Sequence, residues 1–371
     1  LREYLPRSSR ADPFGHEEIY RVLDLCISCK ACKAECPSNV DMAKLKAEFL
    51  QHYYEIHGIP LRAWLVGNMP RLYRIGRAIR PVTNRITATD LFKWCIGFAA
   101  ERSIPKLSKQ TLRQWDKKRT EQEGTKTRRT ESKTTESDGT QSPLILSDHT
   151  ESSSSKGKVY LFADEFTNEN ESDIGIKAIL LLTRLGYEVA IPKHRESGRT
   201  FLSKGMVKKA RQIADENVAC LEQVVSEKTP LLGIEPSAIL AFRDEYPDLV
   251  HEPLKEKAKK LAKNALMLDE FIASEFEQGK IDQALFTTET RSIRLHGHCQ
   301  KAVASTGPTK KMLSIPVNYS VTEIPSGCCG MAGSFGYEKE HYELSQKIGE
   351  LVLFPEVRKA APEVIISAPG T

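Results

Sequence analysis

The chain has 371 residues, 40% of them apolar and 28% charged, and a net charge of +5 from 54 basic and 49 acidic side chains. That length accommodates two or three domains with cores of their own, and the composition is that of ordinary soluble protein. No window approaches the roughly 18 apolar residues of a membrane-spanning helix; the best, Trp94 to Ala100, is far too short, and no secretory signal precedes the first elements.

The first strong signal in chain order is "CISCKACKAECP", with Cys26, Cys29, Cys32 and Cys36 followed by Pro37. The run has the C-x₂-C-x₂-C-x₃-C-P spacing of bacterial-type ferredoxins, in which short gaps place three thiolates around one cubane. Zinc is the rival occupant, but its sites usually come as two separated pairs. No second run exists, so Cys36 either completes a lone 4Fe-4S cluster or serves one whose other ligands lie outside this sequence. Of nine cysteines, seven fall in two clusters, and without an export signal that pattern indicates metal ligands in a reducing, cytoplasmic setting. Cys95 and Cys220 stand alone in helical patterns and read as small buried hydrophobes.

Residues 1–50 therefore read as a 4Fe-4S ferredoxin-type segment and 51–115 as a helical extension. A helix opens after Pro37 with Ser38 as its cap, carries Val40, Leu45, Phe49, Tyr53 and Ile56, and stops at Gly58. Between Ile56 and Thr89 lie six arginines and no acid. In "NMPRLYRIGRAIRP", helical spacing puts Leu72, Ile75 and Ile79 on one face and Arg71, Arg74, Arg77 and Arg80 over the other. That face is either simply solvated or a dock for an acidic partner or an anionic inner-membrane surface. No recognised nucleic-acid motif accompanies the charge. Residues 116–157, rich in Thr, Ser, Glu and Lys, read as a flexible linker.

Residues 158–371 read as an α/β domain made of two copies of β-α-β-α-β with a mainly parallel sheet, in halves of about 158–250 and 290–371. Gly198 to Pro236 spans 38 positions and Gly330 to Pro369 spans 39. In that register Cys328-Cys329-Gly330 falls on Glu196-Ser197-Gly198, and the turn "APGT" on "EPSA" with Ala238. The second copy carries the second cysteine cluster, Cys299 in "HGHC" with Cys328 and Cys329, soft ligands for iron–sulfur or zinc. Gly327, Gly330 and Gly333 let the backbone approach a cofactor closely, and a helix beginning near Glu338 would turn its positive end toward it. His296 and His298 are candidate ligands or proton donors, or ordinary polar groups at a strand end. No residue reads as catalytic.

Taken together, "CISCKACKAECPSNVDMAKLKAEF", "LHGHC" and "SGCCGMAGSFGYEKEHYE" resemble the C-terminal half of the large FAD-linked 2-hydroxy acid oxidases, which join an FAD domain, a ferredoxin-type segment and a cysteine-rich CCG domain. Related CCG domains occur in the glycolate oxidase iron–sulfur subunit and in heterodisulfide reductase. The resemblance implies an electron-transfer module that takes electrons from FAD on an upstream dehydrogenase domain and passes them to a quinone, a ferredoxin or another redox protein. It also implies a first ferredoxin-type run before Leu1 and a further cysteine beyond Thr371, so the sequence reads as a piece of a longer chain. Glu196 and Ser197 replace the cysteines in the first copy, which leaves one cluster site in the domain. A thiol–disulfide catalytic module and a zinc-stabilised interaction module remain the alternatives.

Overall fold

The computed structural model of the chain describes residues 14–133, 155–300 and 303–370. Short aliphatic runs form two parallel sheets in the C-terminal domain, with the order β2-β1-β3-β4 in one and β6-β5-β7 in the other. The strands are β1 (Gly157–Phe162), β2 (Tyr187–Ala190), β3 (Leu231–Gly233), β4 (Ala265–Met267), β5 (Arg291–Leu295), β6 (Tyr319–Glu323) and β7 (Ile365–Ser367). In register, Val159 faces Val189, Leu161 faces Leu232, and Ile293 lies between Val321 and Ile365. The duplicated α/β architecture is present. The expectation omitted β4, whose three residues are too few to show any alternation.

The larger sheet is buried on both faces, as a parallel sheet covered by helices must be. Val159 and Leu161 pack with Ile179, Leu182 and Ile272 on one side; Phe162 and Leu231 pack with Val218, Ile239 and Phe242 on the other. The smaller sheet buries only Ile293, Leu295 and Val321, and Ile365 and Ile366 of β7 stay 43% and 39% exposed.

Several local expectations shift. The helix Met42–His57 is capped by Asp41, whose carboxylate accepts from the amides of Ala43 (2.9 Å) and Lys44 (3.1 Å), and not by Ser38. Its inward face is Phe49, Leu50 and Tyr54, while Val40, Leu45 and Ile56 are exposed. The helix Leu112–Lys133 occupies the start of the expected linker: Leu112 is fully buried and Trp115 packs against the same core. Glu, Gln, Lys and Arg, 11 of the 18 residues from Asp116 to Lys133, then favour continuation of the helix against Gly124 and four threonines. The rest of that stretch, 134–154, lies outside the described residues. Cys95 and Cys220 are exposed, contrary to expectation; Cys220 falls off the Ala210–Ile213–Ala214–Asn217–Leu221 face that its helix buries.

The N-terminal segment is clamped to the domain. Lys30, 1% exposed, donates to Asp244 and, at 2.5 Å, to Glu245; Lys33 also reaches Asp244, and Lys44 reaches Asp248 at 2.6 Å. Gly205 permits the approach, since a Cβ there would meet Cβ of Leu50 at 2.2 Å.

Candidate metal centres

The second cysteine cluster forms where β5 and the loop after β6 meet at the sheet's carboxyl edge. The sulfurs of Cys299, Cys328 and Cys329 all lie within 4.8 Å of one another, with 4.0 Å between Cys299 and Cys328. Gly330 adopts φ +87°, and a Cβ there would lie 2.1 Å from the Ser345 carbonyl oxygen, so this glycine is required by both conformation and space. Its amide donates to the Cys328 sulfur at 3.3 Å, and the Met331 amide donates to Cys329. Gly333 also has positive φ (+63°), but it and Gly327 have open space where a Cβ would stand. The helix expected near Glu338 starts at Tyr342, after two 3₁₀ turns, so its N-terminus is a full turn further along.

Electrostatically the three thiols are unequal. Hydrogen bonds from Cys299 and then Cys328 hold the Cys329 thiol far below the usual range against its burial, with His296 adding to them. Cys299, donating to Cys328 and Cys329, is driven far up. Three sulfurs this close cannot all shed their protons unless a cation compensates the charge, so the donor set suits a soft metal centre. His296 is buried beside the triad with Nδ1 2.6 Å from Ser326 Oγ; His298 is buried two residues on.

The first copy shows what fills the same place without thiols. Ser197 is fully buried, and its amide and hydroxyl donate to Glu165 at 2.9 and 2.7 Å. Tyr246 donates to the Ser197 carbonyl at 2.9 Å, and Asn217 donates to the Glu196 carbonyl at 2.9 Å. This loop is closed by hydrogen bonds, and Ala238 in the following turn is buried.

In the ferredoxin-type run, Ser28 and Lys30 adopt φ +52° and +62°, which folds the loop around Cys29 before the short helix Ala31–Glu35. All four cysteines are half-buried. Among the described residues no three of Cys26, Cys29, Cys32 and Cys36 bring their sulfurs within 4.8 Å of one another. That separation suits a cluster that puts each thiolate on a different iron better than a single zinc ion.

Sequence reasoning missed the residues that join the two centres. Glu338, 2% exposed, accepts from Lys204, lies 3.5 Å from Arg62, and contacts Nδ1 of His341 at 3.2 Å. His341 Nε2 reaches Asp24, two residues before Cys26, at 3.1 Å. Burial opposes ionisation, but His341 and Lys204 hold Glu338 at about 2, and Asp24 with Glu338 raises His341 to about 9. Asp24, Glu338 and His341 lie close enough to suggest a metal site, yet Lys204 and Arg62 already neutralise Glu338. The group is an ion-pair hub. Arg102 adds a clamp, donating to the Gly336 carbonyl and to Ser345 Oγ at 2.8 Å each. These partners are up to 317 residues apart (341 − 24), which leaves no local signal in the sequence.

No protein-family model matches the chain, and no solved structure matches it. Lactate utilization protein A of Bacillus subtilis is 30% identical over 219 residues, which are 57% of this chain and 87% of that protein. The chain belongs to the lactate utilization protein A family. It is also similar to D-2-hydroxyglutarate dehydrogenase of Escherichia coli, 25% identical over 347 residues, 91% of this chain and 31% of that enzyme. One component of the anaerobic glycerol-3-phosphate dehydrogenase of Escherichia coli is 23% identical over 318 residues, 83% of this chain and 70% of that component. The family member described here thus spans about a third of the length of the D-2-hydroxyglutarate dehydrogenases it matches. Its resemblance to the C-terminal part of FAD-linked oxidases, read from the two cysteine motifs, agrees with all three relatives.

Proposed function

We propose that the chain is the iron–sulfur electron-transfer module of an FAD-linked 2-hydroxy acid dehydrogenase. In this reading it takes electrons from an FAD-binding domain and passes them to a quinone, a ferredoxin or another redox protein. The observation that carries the reading is the convergence of Cys299, Cys328 and Cys329 on a domain to which the loop of Cys26, Cys29, Cys32 and Cys36 is fastened by Lys30. Iron–sulfur clusters, with a 4Fe-4S cluster in the Cys26–Cys36 loop, would supply one-electron redox chemistry. The protein supplies the rest. The amides of Gly330 and Met331 donate to ligand sulfurs, Gly327 and Gly333 leave room beside them, and the Glu338 hub fixes one loop against the other.

Anaerobic purification tests this. A brown protein with iron, sulfide and a paramagnetic signal on reduction is expected, inactive on D-lactate, glycolate or D-2-hydroxyglutarate without added flavoprotein. Colourless protein holding zinc alone would overturn the reading, as would hydroxy acid oxidation by the chain unaided.

A peripheral membrane contact belongs to the same proposal. The expected single arginine helix is broken into Met69–Gly76, a 3₁₀ turn at Arg77–Ile79, and Arg80–Thr87. Arg77 turns inward and donates to Glu169 at 2.5 and 2.8 Å, so it does not belong to the solvated face. Ile75, Ile79, Val82, Ile86, Leu91 and Trp94 are left exposed beside Arg71, Arg74 and Arg85. Apolar side chains among arginines, with no acid from Ile56 to Thr89, match an anionic lipid surface. Among the described residues no helix is long and apolar enough to cross a membrane.

A further inference from the structure

His296 is the residue that β5 delivers to the three-thiol site. Its amide donates to the Ser367 carbonyl at 2.8 Å, which fixes its backbone between β5 and β7. Its ring is 7% exposed, with Nδ1 2.6 Å from Ser326 Oγ, and it hydrogen-bonds Cys329. The three sulfurs form a set within 4.8 Å of one another that includes no nitrogen of His296, so the ring stands against one thiolate and not at the centre of the site. A neutral imidazole has one N–H and one acceptor nitrogen. With Nδ1 paired to Ser326, Nε2 is the ring nitrogen left for the Cys329 sulfur.

We propose that His296 is the side-chain hydrogen-bond donor that raises the reduction potential of the centre held by Cys299, Cys328 and Cys329, with Ser326 fixing its tautomer. The proposal rests on the reading of that triad as an iron–sulfur site. A donor to a ligand sulfur withdraws charge from it and so stabilises the reduced, more negative state. The amides of Gly330 and Met331 act in the same sense, but they are backbone and identical in any variant. No histidine lies in the Cys26–Cys36 loop, so this effect is confined to one of the two centres. His296 acts through Cys329 and is a positioning and tuning residue.

The test uses the full chain, prepared anaerobically with iron and sulfide and titrated potentiometrically under paramagnetic-resonance detection. His296→Leu is expected to keep its iron but become harder to reduce. At fixed poise its reduced-to-oxidised ratio falls about tenfold, ~59 mV for a one-electron couple. His296→Gln, which returns an N–H near the Nε2 position, restores most of the shift. Ser326→Ala shifts in the same direction by less, and the centre at Cys26–Cys36 keeps its potential throughout. An unchanged potential in His296→Leu, or equal displacement of both centres, overturns the proposal. If His296→Leu fails to hold iron, Ser326→Ala decides, and an unmoved potential there overturns it. Cys299→Ala, which leaves no ligand atom at that position, separates the two readings. If that variant keeps full iron and sulfide, the triad binds no cluster and the underlying assignment fails whatever His296 does.

Discussion

Replacing Gly330 by alanine probes whether the cysteine loop is shaped by its backbone. Its φ of +87° costs an L-residue about 1–2 kcal/mol. The added Cβ would lie 2.1 Å from the Ser345 carbonyl oxygen and 2.9 Å from its carbon. Both are main-chain atoms that cannot rotate aside, so a forced shift adds about 1–3 kcal/mol. The sum is about 2–5 kcal/mol, and a mid-range 3 kcal/mol lowers Tm by about 6–12 °C for a unit of this size. Two neighbouring glycines are internal controls. Gly333, at φ +63° with nothing within 4 Å, should cost only the conformational part, about 1–2 kcal/mol. Gly327, with neither positive φ nor a neighbour, should be neutral or gain up to about 1 kcal/mol. Thermal melts of the three alanine variants, with iron counted on each, give the order. Iron loss should track Gly330→Ala, because the same shift moves the amide that donates to Cys328. Equal melting points for Gly330→Ala and Gly333→Ala would refute the reasoning.

Removing the Glu338 carboxylate leaves Lys204, Arg62 and His341 facing one another with little water. Glu338→Ala should therefore cost about 3–5 kcal/mol by denaturant titration, and a loss below 1 kcal/mol would show the hub to be solvated. His341, raised to about 9 in the folded chain against about 6.5 unfolded, adds stability that is complete below pH about 6.5. That stability is lost as pH rises through 9, so melting temperature should fall over this interval, and His341→Gln should flatten the slope. Sedimentation with phosphatidylglycerol vesicles should carry the chain down at low salt, and exchanging Arg71, Arg74 and Arg85 for glutamate should weaken this at least tenfold; equal binding to neutral phosphatidylcholine would count against the surface.

What could be read from the sequence was what neighbouring residues encode. The gaps in Cys26–Cys36, the alternation of strand and helix, and the 38- and 39-residue spacings each lie within one supersecondary unit, and the alternation has its counterpart in the parallel α/β structure. Features decided by contact between distant segments could not be read that way. Arg77 looks like its neighbouring arginines until Glu169 pairs with it, and Lys30 looks like a solvated loop lysine until Asp244 and Glu245 bury it. Val40, Leu45 and Ile56 fit a helical period, yet the domain surface selects Phe49, Leu50 and Tyr54 as the inward face.

The two copies of the repeat explain why the candidate metal site in particular needs both kinds of information. In each, a strand end and a glycine-bearing loop bring polar groups together in a place with little water. The first copy closes that place with neutral donors on one carboxyl, Ser197 on Glu165, whose burial outweighs those hydrogen bonds and pushes it up toward the neutral acid. The second places three ionisable sulfurs there, and the hydrogen bonds that Cys299 gives the other two drive its own thiol up and the Cys329 thiol down, so the three do not ionise alike. One substitution pattern, Cys-Cys for Glu-Ser before the same glycine, changes the loop from one closed on a carboxyl to one whose sulfurs could hold a soft cation. The Arg102 and Glu338 contacts then hold that loop still from outside, so the demand for positive charge is matched by a fixed geometry that a soft metal centre can occupy.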